Sequence, residues 1–384
     1  MTARGALPLL LSALLPAAAL ASGGAGRVAL LPPEVEVAEA DAGPRVEELL
    51  AGALAARGWE VARGEEVERA LFATRLRRSD SIPSSLRDGL FGQLDVSAIL
   101  LSRVGAWLPG RDPVVVLTAR LVGPDGRTAW AGFQSLTGAE TADPFDLRRA
   151  ATVEEVARRA VERLCADLPA PGAAAPRGGL QDRPFYLSAP AVFRSPHLDA
   201  PVTRVALVPF SNLTRVREAP RTAGAQLERL LEASGAFEVV EPADFRDAMR
   251  AEAIPSLLRL QPEQLRAIGA RLGSPVFVRG TVWRWIDGTA YSGALDPEVE
   301  LEIELVDVGE NRVLGAAHVA RTGSDYSGFL LRGRMRTAAA LAERVVAEIV
   351  EALLAADPAG AKSDAPERPD GSPPPGQDNG ESKP

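Results

Sequence analysis

Two stretches of this chain begin alike, RVALLP at Arg27 and RVALVP at Arg204. Each is followed by apolar residues at helical spacing and, at one constant spacing, by a glycine: Gly58 in AARGWEVA and Gly235 in EASGAFEVV. Further on, SAILLSRVGAW from Ser97 parallels SPVFVRGTVWRW from Ser274, and VVVLTARLVGPDGRTAWAG parallels VELEIELVDVGENRVLGAA. The second half has a longer loop before the last of these segments. A repeat this long signals duplication of a whole domain, not a solenoid of short units. The two halves are therefore expected to share one fold.

Within each half the periodicity changes in the same order. A strand (28–31; 205–208) precedes a helix whose apolar residues fall at helical spacing, Val46, Leu49, Leu50 and Leu54 or Leu227, Leu230 and Leu231. A short strand (59–62; 237–240), a helix opened by GEEVERAL or EPADFRDAM, and a further short helix come next. Three strands follow, the last two joined by the turn residues Gly123-Pro124-Asp125-Gly126 or Val308-Gly309-Glu310-Asn311. A long amphipathic helix closes each copy (152–167; about 334–354). The order β-α-β-α-α-β-β-β-α predicts an α/β fold, a mixed sheet covered by helices, made twice. Gly58 and Gly235 stand where a helix must stop and turn, which favours positive φ and hence glycine.

Around these copies the expected organisation is a signal peptide over 1–21, copy 1 over 27–168, a Pro/Gly-rich linker over 169–202, copy 2 over 203–356 and a disordered tail over 357–384. The first segment has Arg4, an apolar run from Leu7 to Leu20 and small residues at Ala19 and Ala21, the layout of a secretory signal cleaved after Ala21. An uncleaved anchor is the alternative, although Pro8 and Pro16 suit a spanning helix poorly. No other segment is apolar enough to span a membrane. The linker is broken by prolines and glycines too often for a regular element, with Phe185, Tyr186 and Phe193 available to dock on a domain. The tail lacks aromatic and branched aliphatic residues and cannot offset its chain entropy by burial. Cys165 is the single cysteine, so no intramolecular disulfide forms, and its helical neighbours Val161 and Leu164 make it a core residue. A net charge of -8 argues against a surface that neutralises nucleic-acid phosphates.

In copy 2, Pro209-Phe210, Asn212, Gly235, Phe237, Val239-Val240-Glu241, Leu272-Gly273 and Val278-Arg279-Gly280 form a pattern. It resembles exported bacterial proteins of the CsgG, TolB N-terminal and LpoB type. The resemblance spans roughly 204–354 and implies an envelope protein that contacts other envelope proteins. Copy 1 departs from the pattern, with Pro33 where copy 2 has Phe210 and no asparagine after it. The chain also lacks a cysteine at Ser22, where a lipoprotein would carry its lipid, and it shows no long alternating hairpins suited to a barrel pore.

Catalytic machinery is scarce. His197 and His318 are the only histidines, and with one cysteine they compose no His/Cys zinc cluster. No nucleophile elbow occurs, and GAKS at Gly360 is no phosphate loop. Glu300, Glu302 and Glu304 alternate with Val299, Leu301, Ile303 and Leu305, which reads as a solvated strand face in preference to paired catalytic carboxylates. No catalytic, cofactor or metal residues are therefore expected. Strict alternation sends Trp283 and Trp285 to one side of their strand, either packed beneath the closing helix or offered as interface anchors, with Tyr291 in the glycine-bearing loop beyond.

The expectation is an exported, periplasmic, non-enzymatic accessory protein, held at the outer membrane, if at all, through a partner. Copy 2 would bind envelope proteins through Phe210, Asn212, Trp283 and Tyr291, with no nucleic-acid partner and no membrane span after signal cleavage. Two alternatives stay open: a small-molecule receptor or enzyme with a site between the copies, and a homo-oligomeric secretion component.

Overall fold

A computed structural model describes residues 26–37, 39, 41–142, 149–173, 186–199, 204–254, 261–288, 296–327 and 334–355. The expected signal peptide and tail, Phe185 and Tyr291 lie outside the described residues.

Copy 1 runs β1 (Arg27–Leu30), β2 (Glu34–Val35), α1 (Ala42–Ala56), β3 (Glu60–Ala62), α2 (Glu65–Thr74), α3 (Ser84–Leu94), β4 (Ala98–Leu108), β5 (Val114–Val122), β6 (Thr128–Thr137) and α4 (Val153–Leu164). Copy 2 repeats the series after an additional strand, β7 (Ala191–Arg194): β8 (Arg204–Leu207), β9 (Ser211–Asn212), α5 (Ala219–Ser234), β10 (Glu238–Val240), α6 (Pro242–Ala251), α7 (Pro262–Leu272), β11 (Val276–Ile286), β12 (Glu298–Asp307), β13 (Arg312–Thr322) and α8 (Ala338–Leu354). The expected mixed α/β fold is thus present twice. The sheets are ordered β3-β1-β4-β5-β6 and β10-β8-β11-β12-β13-β7, parallel about the first strand and antiparallel through the hairpins. Gly58 and Gly235 have φ of 87° and 65°, the left-handed turns that end α1 and α5.

Strand alternation divides each core. In copy 1, Val28, Leu30, Leu100, Val104, Leu117 and Leu121 pack against Val46, Leu50, Val156 and Ala160 of α1 and α4, while Ala29, Ile99 and Leu101 pack against Val67, Leu90 and Phe91 of α2 and α3. Cys165 is buried in the first of these clusters, and burial pushes its thiol up to about 12. In copy 2 the second layer is built around Phe245 of α6, set edge-on to Phe277 of β11 at 5.6 Å between ring centres.

The reading of the linker is corrected. Residues Ala191–Arg194 add to β13 as an antiparallel strand, because the outer edge of β13 offers unpaired backbone groups that an extended segment satisfies. Tyr186 and Phe193 do not bury their rings there; each is 54% exposed. Register also moves one alignment by a residue: Trp107 pairs with Val115 and Trp285 with Val299, so Val115, not Val114, is the counterpart of Val299.

Candidate functional site

In each copy the second helical layer covers only the half of the sheet nearest the first strand. The remaining half-face carries the outward positions of the three long strands. In copy 1 these are Arg103 and Gly105 on β4, Val116, Thr118 and Arg120 on β5, and Phe133 and Ser135 on β6, and copy 2 packs onto them through α5. Arg120 Nη1 donates to Glu228 at 2.6 Å, and its other amino group donates to Glu241 and to the Asp80 carbonyl. Arg103 donates to the Arg221 carbonyl at 3.0 Å, and Ser135 shares a 2.7 Å hydrogen bond with Thr337. From the other side, Glu241 and Asp244 accept from the backbone N–H groups of Ile82 and Ser84, satisfying donors at the entry to α3.

Electrostatics make this contact demanding. The side chains of Arg120, Glu228 and Glu241 are 11%, 14% and 8% exposed. Burial works against the Arg120 charge, yet Glu228 and Glu241 hold its guanidinium well above its ordinary value. Glu228 is moved up by its burial, with Glu241 adding repulsion. Glu232, one turn along α5, is pushed up to about 8 by burial and by Glu228.

The counterpart half-face of copy 2 has no such cover among the described residues. It presents Arg279, Thr281 and Trp283 on β11, Glu298, Glu300, Glu302 and Glu304 on β12, and His318 on β13. Ion pairs lace it, Arg279 with Glu304 at 2.7 Å and Arg284 with Glu298 at 3.0 Å, and a 3.0 Å hydrogen bond joins His318 Nε2 to Glu300. The solvated glutamate face read from the sequence is therefore present, with Val299, Leu301, Ile303 and Leu305 buried behind it.

The alternation expected of the two tryptophans is overturned. A β-bulge between Val282 and Arg284 places one extra residue, so Trp283 is 47% exposed and Trp285 is 6% exposed on the opposite side. Trp283 Nε1 donates to Glu302 at 3.0 Å, which holds the indole across the open face. Copy 1 has the same bulge between Val104 and Ala106, but its extra residue is Gly105, set beneath Thr222 of α5. The bulge thus carries a glycine where helices cover the sheet and a tryptophan where they do not.

Phe210 and Asn212 have separate roles. Phe210 is 8% exposed, and its ring lies flat over Gly280, where a Cβ would fall inside the ring's van der Waals surface. Asn212 shapes the loop after β9: its Oδ1 accepts from the Thr214 N–H at 3.0 Å and hydroxyl at 2.8 Å, and its amide donates to the Val216 carbonyl at 2.9 Å. The loop sets Leu213, 59% exposed, next in line beside Trp283, since β9 pairs in parallel with Thr281 and Val282. It also delivers Arg217 to a cavity between the copies, which Phe210 lines. Gly280→Val should displace the Phe210 ring and cost about 1–3 kcal/mol. Urea denaturation of Gly280→Val, Phe210→Ala and the double variant checks this; additive costs would show that the two residues do not meet.

The sequence reading missed Arg103, Arg120, Glu228 and Glu232, and named Glu241 only as part of a motif, without its pairing to Arg120. One signal was available: Arg120 interrupts the apolar run VVVLTARLV, and a long cation inside such a strand needs a partner. Among the described residues, no group of three or more His, Cys, Asp or Glu side chains could hold a metal, and no helix is long and apolar enough to cross a membrane.

No protein-family model matches the chain, and no curated protein matches it. Solved structures do resemble parts of it. A PelC dodecamer from Paraburkholderia phytofirmans is 19% identical over 44% of this chain and 98% of that one, with a TM-score of 0.30. Lipoprotein GNA1162 from Neisseria meningitidis is 17% identical over 31% of this chain and 82% of its own, with a TM-score of 0.27. The LpoB C-terminal domain from Salmonella enterica is 14% identical over 31% of this chain and 82% of that one, with a TM-score of 0.21. Each of these likenesses covers less than half of this chain, at under 25% identity.

Proposed function

We propose that this chain is an exported, non-catalytic accessory protein of the bacterial envelope that acts by protein contact, with the open half-face of copy 2 as its docking surface. The observation that carries this reading is the inequality of two equivalent surfaces. The copy 1 half-face already binds helices, those of copy 2, whereas its counterpart leaves Trp283 and Leu213 exposed on a sheet of the same build. Tryptophan at the centre of a charged, hydrogen-bonded rim is the usual composition of an interface anchor. Export rests on the N-terminal segment, and the partner is accordingly an envelope protein.

Trp283→Ser should leave stability within about 0.5 kcal/mol, because the indole is half exposed. It should weaken partner binding by about 2 kcal/mol or more, roughly thirtyfold. A photo-crosslinking amino acid placed at Leu213 in cells reads this directly. The expected result is a discrete adduct that fades in the Trp283→Ser background. An adduct insensitive to Trp283, or none at Leu213 while Phe72 on α2 gives one, would remove this face from the reading. An adduct of twice the chain's own mass would identify the partner as a second copy, the oligomeric alternative, and sedimentation would then show concentration-dependent association.

A further inference from the structure

The helices of copy 2 do not fill the copy 1 half-face completely. A cavity of about 460 Å³ remains between them, within the range of roughly 300–1,000 Å³ typical of small-molecule sites. Leu101 and Phe133 of copy 1 and Leu207, Pro209 and Phe210 of copy 2 supply apolar wall.

The opening is maintained at a cost. Gly224 sits in the interior of α5 and lines the cavity, and a Cβ added there would meet no atom within 4 Å. Glycine in a helix interior is about 1 kcal/mol less favourable than alanine, so this residue gives up stability without any close approach requiring it. Its effect is to leave the cavity open.

Charge around the cavity is one-sided. Seven arginines line it, Arg78, Arg103, Arg120, Arg217, Arg221, Arg229 and Arg246, against three acidic residues, Asp80, Glu228 and Glu232. Glu228 is engaged by Arg120 and Asp80 by Arg78 at 2.7 Å, and the further carboxylates that answer these arginines, Glu34, Glu36, Glu241 and Glu343, stand outside the lining. Two guanidinium groups are poorly matched: Arg103 reaches Glu36 only at 3.8 Å, and Arg246 reaches Asp80 only at 3.8 Å. Arg217, at the exposed mouth, has no ion pair among the described residues. Burial lowers the pKa of both Arg103 and Arg246, the direction expected of cations lacking a close counter-charge.

We propose that this cavity binds a small amphiphilic anion, an apolar body that fills the space left by Gly224 with one acidic group placed among Arg103, Arg217 and Arg246. An apolar neutral molecule would leave the guanidinium groups unanswered, and a wholly polar anion would leave the apolar wall wet. Arginine is suited to the acidic end because its planar fork matches carboxylate, sulfonate and phosphate oxygens.

The test uses the mature chain and two dyes that share one aromatic frame, 8-anilinonaphthalene-1-sulfonate and its uncharged analogue N-phenyl-1-naphthylamine. Fluorescence titration should show saturable binding of the sulfonate at one site, at least tenfold tighter than binding of the neutral dye. Arg217→Gln should weaken the sulfonate about fivefold to tenfold and leave the neutral dye unchanged. Gly224→Leu should fill the cavity, reduce binding of both dyes at least tenfold, and leave the thermal midpoint equal or higher, since the helix gains a better former. Competition then separates two sources of the anion: displacement by decanoate alone assigns a free carboxylate, and displacement by phosphatidylglycerol vesicles assigns a lipid. Equal affinity for the two dyes, or sulfonate binding that survives Gly224→Leu in a folded protein, would overturn the proposal and leave adventitious binding to an exposed patch only.

Discussion

Arg120→Met is expected to cost about 3–5 kcal/mol of unfolding free energy. The loss comes less from the missing hydrogen bonds than from what stays behind. Glu228 and Glu241 are both buried at the junction of the two copies, and Arg120 is the cation that links them. Once it is gone, two carboxylates face each other in a poorly solvated site and must either take up protons or separate. Because one partner lies on β5 and the others on α5 and at the start of α6, the damage should fall on the contact between the copies before it reaches either core. Urea denaturation followed by tryptophan fluorescence gives the magnitude, and hydrogen exchange should show the backbone of β5 and α5 opening ahead of β1 and β8. Adding Glu241→Gln to Arg120→Met should restore part of the loss, by removing one of the stranded charges. A cost below about 1 kcal/mol, or a double variant worse than the single, would show that the triad does not hold the copies together.

The second large effect is one of pH. Glu232 has its folded pKa raised from 4.5 to about 8 by burial and by Glu228, so the folded protein holds a proton there that the unfolded chain releases at lower pH. A raised acid contributes stability that is fully present below the unfolded value and is lost as pH rises through the folded one. Stability should therefore fall between about pH 4.5 and 8 and level off above, by a few kcal/mol at about 1.4 kcal/mol per pH unit. Glu228 moves in the same direction and deepens the slope. Glu232→Gln keeps the neutral shape, so it should flatten the profile and leave the variant more stable than the wild type at pH 8.5, with little difference at pH 5. Parallel profiles for the two proteins would contradict the assignment.

Both effects arise where the duplicated halves differ. The counterparts of Arg120 and Gly105 in copy 2 are Glu304 and Trp283, set by the register of β12 and by the shared bulge. One copy has become a seat for helices, while the other retains an ion-paired surface. The two half-faces have the same strand register, and the residues at these positions differ between the covered one and the open one. The same divergence explains why α5 carries Glu228 and Glu232 on its outward side, since it serves its own sheet with Leu227, Leu230 and Leu231 and the neighbouring sheet with its acids.

Element order was legible in the amino-acid pattern, because apolar spacing of two or of three to four residues and a positive-φ glycine act within a few residues of chain. The pattern puts Glu300, Glu302 and Glu304 on one solvated face for the same reason. It also showed that the fold is made twice, since RVALLP and RVALVP open the same series of elements. Tertiary structure decided the rest. The bulge at Trp283 depends on pairing with β12, so strand alternation could not reveal that one tryptophan turns outward and the other inward. Phe210 looked like an exposed loop residue until Gly280, far along the chain, provided the bare backbone on which its ring is buried. The strand at Ala191–Arg194 exists because β13 has an edge to pair with, which the prolines and glycines of the surrounding segment do not disclose. The triad of Arg120, Glu228 and Glu241, and the cavity beside it, depend on packing one copy against the other, and packing over such separations leaves no periodic mark in a sequence.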